Sequence, residues 1–145
     1  MNRQILFRGK TSTGEWVFGD LIQDAKTDWV AILPIECGKI SLDSCIEVIP
    51  QTVGQFTGIT DKNGVKIFEG QSIKVIFSKE QISGSLRYVN NSLPDYLIGV
   101  VKYIERSCSY IIEFEKNNPY HVCSQSIGWY SEDFEVIGTI HDKQN

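Results

Sequence analysis

The chain is poor in the groups that most enzyme chemistry uses. Its 145 residues include two histidines, one methionine and four cysteines. It has no Cys-x-x-Cys pair, no His-Glu-x-x-His, no Gly-x-x-x-x-Gly-Lys and no Gly-x-Gly-x-x-Gly. Zinc-ribbon, zinc-protease, P-loop and dinucleotide-binding readings therefore have no motif to start from. No run approaches the roughly 18 apolar residues of a membrane-spanning helix, and Ile5-Leu6-Phe7 is too short for a signal-peptide core. The expectations are no membrane, a cytoplasmic setting, and Cys37, Cys45, Cys108 and Cys123 as reduced thiols. Fourteen Lys and Arg against 18 Asp and Glu leave a net charge of −4, so no global basic field draws the chain to nucleic acid or anionic lipid.

What is present is ordinary globular composition, 41% hydrophobic and 22% charged, at a length that suits one domain over 1–145. Alternation with a period of two dominates. Ile73, Val75 and Phe77 share one strand face, as do Tyr110, Ile112 and Phe114. Aromatic and β-branched residues fill 15–22, 29–33, 45–49 and 134–140. No long apolar run at helical spacing carries caps at both ends. The fold class predicted is mainly β.

The punctuation agrees. Thr11-Ser12-Thr13-Gly14 and Asp61-Lys62-Asn63-Gly64 each separate two strand-like segments. Asn63-Gly64 supplies the positive φ angles expected of a tight hairpin turn, and Asp61 reads as a turn residue because a calcium loop needs more oxygen ligands at fixed offsets. Residues 78–97 break the pattern: they are polar, contain Gly84 and Pro94, and read as an irregular insertion.

Candidate chemistry is thin. His121 and Cys123 are two apart and share a face if they lie on a strand, but no third ligand or orienting acid accompanies them. No catalytic residue, metal ligand or cofactor site is assigned. Nucleic acid offers the alternative reading. Residues 71–106 carry a local excess of two positive charges, and the candidate contacts are Lys74, Arg87, Lys102, Tyr103 and Arg106.

Four blocks resemble the YopX family of phage and prophage proteins. They are Phe7-Arg8-Gly9-Lys10 with Gly14-Glu15-Trp16-Val17-Phe18-Gly19-Asp20-Leu21, then Thr52-Val53-Gly54-Gln55-Phe56-Thr57-Gly58 with Asp61-Lys62-Asn63-Gly64, then Ile67-Phe68-Glu69-Gly70, and finally Phe134-Glu135-Val136-Ile137-Gly138. One departure is Gln71, where the family pattern usually continues Glu-Gly with Asp. The resemblance implies an SH3-like small barrel core, here with β-hairpin extensions, and carriage by mobile elements. It implies no activity. Independently, the strands at 70–75, 99–103 and 110–114 fit a small barrel.

The function expected is that of a non-enzymatic interaction protein of phage or prophage origin, with Trp16, Trp29 and Trp129 as candidate anchors and an unidentified protein partner. A homo-oligomer is expected as well. The segment 29–33 carries no charge and 45–49 carries only Glu47, so either would be poorly protected as an exposed edge.

Overall fold

The structure is a computed structural model and describes residues 2–35, 41–76, 95–116, 124–126 (backbone) and 133–142. Among these the regular elements are strands and short 3-10 turns. The strands are β1 (Phe7–Lys10), β2 (Trp16–Gln23), β3 (Val30–Pro34), β4 (Ile46–Glu47), β5 (Gly54–Thr60), β6 (Lys66–Phe68), β7 (Gln71–Ile76), β8 (Tyr96–Ile104), β9 (Ser109–Phe114), β10 (Ser124–Ser126) and β11 (Phe134–Thr139). The predicted fold class is met at the level of mainly β, with two antiparallel sheets.

The backbone groups into two compact units, Met1–Gly58 and Ile59–Asn145. In the first, the strand order is β4-β3-β2-β1-β5. The side chains of Phe7, Val17, Leu21, Val30 and Ile32 gather on one face with Val48 and Val53. The uncharged segment 29–33 is not an edge. Its strand β3 pairs with β2 on one side and β4 on the other, and Ala31 and Ile32 are fully buried. The edge position falls instead to β4, which is two residues long.

In the second unit the five-stranded order is β10-β9-β8-β7-β11. Ile73 and Val75 of β7, Val101 of β8, Ile112 and Phe114 of β9 and Phe134 of β11 form one core with Ile67 of β6. The alternation that predicted these strands is the alternation that buries them. Among the described residues this sheet is open, with β10 and β11 at its two ends, so no closed barrel forms there. Strand β8 begins at Tyr96, inside the stretch assigned to the insertion, because Leu97 pairs with Val75 and packs on the core. Residues 78–94 of that insertion lie outside the described residues.

Two hairpins share one turn geometry. Thr11 N–H donates to the Glu15 carbonyl (2.8 Å), Gly14 N–H to the Thr11 carbonyl (3.0 Å), and Glu15 N–H to Thr11 Oγ1 (3.1 Å). Asp61 N–H likewise donates to the Val65 carbonyl (2.8 Å), Gly64 N–H to the Asp61 carbonyl (3.0 Å), and Val65 N–H to Asp61 Oδ1 (2.9 Å). In each, one glycine carries the positive φ, +93° at Gly14 and +80° at Gly64. Asn63 does not, which corrects the expectation for Asn63-Gly64. The three-residue loop needs a left-handed residue only at its last position.

Candidate functional site

The β2–β3 turn is wired by its own side chains. Asp24 Oδ1 accepts the Lys26 N–H (2.9 Å), Asp24 Oδ2 accepts the Thr27 hydroxyl (3.0 Å), and Thr27 Oγ1 accepts the Trp29 N–H (3.3 Å). The Asp24 N–H then closes the turn on the Trp29 carbonyl (3.2 Å). Short polar side chains that bond nearby backbone groups favour turns for this reason.

A second locally tied segment faces it. In the 3-10 turn Pro50–Thr52, Thr52 Oγ1 donates to the Ile49 carbonyl (2.6 Å) and accepts the Lys10 N–H (2.8 Å). Between the two turns lies a half-open groove of about 500 Å³. Val30, Val53 and Pro50 supply its apolar lining, Trp29 its aromatic ring, and Asp24 and Asp28 its charge. The volume is within the usual range for a ligand-sized cleft. Trp29 is 41% exposed, although its neighbour Val30 is buried. The lining includes two carboxylates and no Lys, Arg or His. Within it the Thr27 hydroxyl is held on the Asp24 carboxylate, in the contact that also ties the turn.

Of the residues singled out for nucleic acid, the described ones do not all share one face. Lys74 and Lys102 stand on the face of the second sheet opposite the core, and each has a partner. Lys74 Nζ lies 4.6 Å from the centre of the Tyr96 ring, and Lys102 is ion-paired with Glu113. Glu135, cross-strand from Lys74, is paired with Lys62 at 2.8 Å. Tyr103 is on the other face, packed edge-on against Tyr110 with ring centres 5.2 Å apart. Its hydroxyl is pushed above the usual tyrosine range by a hydrogen bond with the Cys108 thiol and by the nearby Cys108 and Glu105 charges. Arg106 is exposed in the 3-10 turn Glu105–Ser107 that follows β8. Arg87, His121, Cys123 and Trp129 lie outside the described residues. Trp16 is half-buried under two cations, with Arg8 Cζ 4.2 Å and Lys10 Nζ 5.5 Å from its ring centre.

The comparison with protein families decides the relationship. The model described as YopX protein matches residues 6–145. The chain belongs to the YopX family. No curated protein matches it. In this YopX-family chain the departure at Gln71 has a structural role. Gln71 is buried, and its Oε1 accepts the Phe68 N–H (2.7 Å) across the Glu69-Gly70 turn. The Trp29 groove was missed in the sequence, although Trp29 itself was among the candidate anchors. The available signal was Asp24-Ala25-Lys26-Thr27, a self-bonding turn placed directly before Asp28 and Trp29.

Proposed function

We propose that this protein is a non-enzymatic interaction protein of phage or prophage origin, acting in the cytoplasm, whose partner docks in the groove beside Trp29. The observation that carries this reading is a groove of about 500 Å³ lined by the part-exposed Trp29 and held between two turns that are tied by their own side chains. Binding surfaces built on loops anchored to a rigid sheet commonly have this construction. An aromatic anchor in such a recess is also the usual form of an interface hot spot. The Thr27 hydroxyl and Asp24 carboxylate in its lining are committed to tying the turn, and the lining holds no Lys, Arg or His to stabilise a developing anion.

An SH3-like arrangement of the second unit is part of the reading. It is supported by the β7-β8-β9 meander, which shares one core with Ile67 of β6 and Phe134 of β11. Self-association through β4 is the companion proposal, because Leu42, Ile46 and Ile49 are 76%, 40% and 40% exposed around that short edge. The nucleic-acid reading is set aside because Lys74 is engaged by the Tyr96 ring and Lys102 is neutralised by Glu113 on the same face.

The test is affinity capture from induced cells with the tagged wild type and Trp29→Ala in parallel. A protein recovered reproducibly by the wild type and lost with Trp29→Ala supports the reading. Identical recovery by both, or turnover in hydrolase and nucleotide screens, overturns it.

A further inference from the structure

The Trp29 groove has a charge signature that narrows its occupant. Asp24 and Asp28 line it and no basic side chain does; Lys26, in the same turn, is not part of the lining. The two carboxylates are not equivalent. Both oxygens of Asp24 are engaged by the Lys26 N–H and the Thr27 hydroxyl. Asp28, among the described residues, makes no hydrogen bond or ion pair, so its carboxylate is available in the groove that Trp29 also lines. An acidic or phosphorylated occupant would bring like charges together without compensation, which disfavours it. A cation in the groove can gain twice, from the electron-rich indole and from the free carboxylate that share its lining.

We infer that the groove receives the side chain of an arginine on an exposed segment of the partner protein. This rests on the reading of the groove as the docking site. Arginine suits the site better than lysine because its planar guanidinium lies flat on an aromatic ring while its N–H groups fork onto a carboxylate. The molecule contains the same pairing elsewhere, with the Arg8 guanidinium carbon 4.2 Å from the Trp16 ring centre. The apolar stem of an arginine has a matching surface in Val30, Val53 and Pro50.

The experiment titrates the ¹⁵N-labelled full chain with three blocked tripeptides, Gly-Arg-Gly, Gly-citrulline-Gly and Gly-Glu-Gly. The readout is the Trp29 indole N–H resonance, assigned by its loss in Trp29→Phe. That variant must otherwise keep the wild-type spectrum, which checks its folding. The arginine peptide is expected to shift this resonance saturably. Citrulline, which keeps the shape and loses the charge, is expected to bind at least about fivefold more weakly, and the glutamate peptide to leave the resonance unmoved. Asp28→Asn, at an exposed position, is expected to weaken the arginine peptide about two- to fivefold, the range of a partly exposed ion pair. Equal binding of arginine and citrulline overturns the inference and leaves the groove as a docking site for a neutral occupant. No shift with arginine also overturns it, whatever the capture experiment returns. Loss of Trp29-dependent capture would strike the docking reading separately.

Discussion

The carboxylate of Asp61 accepts the backbone N–H of Val136, 75 positions later in the chain, at 2.9 Å. Its other oxygen accepts the N–H groups of Asn63 and Val65 at 2.8 and 2.9 Å. The adjacent Lys62 N–H donates to the Phe134 carbonyl at 3.0 Å. One turn therefore satisfies itself and also occupies hydrogen-bonding positions on the free side of β11. An end strand whose N–H and C=O groups are taken in this way is a poor template for another chain.

Replacing Asp61 should be costly because the residue is buried and holds three donors. Asp61→Ala is expected to destabilise the protein by about 2–4 kcal/mol, the range for removing a charged acceptor and leaving buried N–H groups unsatisfied. Asp61→Asn keeps one acceptor oxygen and is expected to cost about half as much. Urea unfolding measures both. An Asp61→Ala variant within about 0.5 kcal/mol of wild type, the scatter of an ordinary surface substitution, would refute the role given to this residue.

The same contact should make stability depend on acid. Burial works to raise the Asp61 pKa, but the N–H groups of Val136, Val65 and Asn63 and the Lys62 charge outweigh it, and the pKa lies below its ordinary value of 3.8. The unfolded chain then binds the proton first as pH falls. The stabilisation is complete above the unfolded value of about 3.9 and is lost on descending through the lower folded value. The stability gap between wild type and Asp61→Asn is expected to be flat from pH 5 to 7, ranges well above about 4, and to shrink below that. A gap that widens on acidification would contradict this. Glu135, held below its usual range by the Lys62 hydrogen bond and charge, shifts in the same direction but is solvent-facing.

Two glycines should fail for different reasons. A Cβ at Gly99 would stand 2.5 Å from Ile112 Cγ2 and 2.7 Å from the Glu113 carbonyl oxygen, so Gly99→Ala overpacks the core of the second unit. At Gly64 nothing lies within 4 Å, and the penalty is backbone strain alone at φ +80°. Expected costs are about 2–3 kcal/mol for Gly99→Ala and about 1 kcal/mol for Gly64→Ala. Thermal and urea melts rank them, and the reverse order would overturn the account.

Self-association predicts a mass above 16.4 kDa by light scattering behind size exclusion, rising with concentration. Ile46→Lys, which places a charge on the β4 edge, is expected to return the monomer mass. Observing the monomer mass for the wild type at every micromolar concentration would end the proposal.

For nucleic acid the expected outcome is negative. Fluorescence anisotropy of single-stranded and duplex probes should stay flat at low salt, where phosphate contacts are strongest. Saturable, salt-sensitive binding weakened by Lys74→Ala and Lys102→Ala would reverse that conclusion.

Much of the sheet was legible because a strand declares its buried face in every second residue. Ile73 and Val75, or Ile112 and Phe114, needed no knowledge of their partners to be placed inside. The turns were legible through Gly14 and Gly64, since few other residues accept a positive φ. The start of β8 was not, because Tyr96 and Leu97 follow a polar stretch and join the strand only through pairing with Ile76 and Val75.

By itself, the sequence determined strand content, the core faces and the hairpin turns, all properties of neighbours within a few residues. Tertiary structure decided which edges exist. The uncharged β3 became an interior strand once β2 and β4 flanked it, and β4 became the edge. It also decided which charges meet, setting Glu135 against Lys62 and Glu113 against Lys102, the latter neutralising one cation of the 71–106 window. The carboxylate of Asp61 reads as a turn feature in sequence and becomes a fastener for β11 only when the chain returns. The physical reason is range: backbone dihedral preference and side-chain alternation act locally, whereas strand register, ion pairing and the groove beside Trp29 depend on segments that only the folded chain brings together.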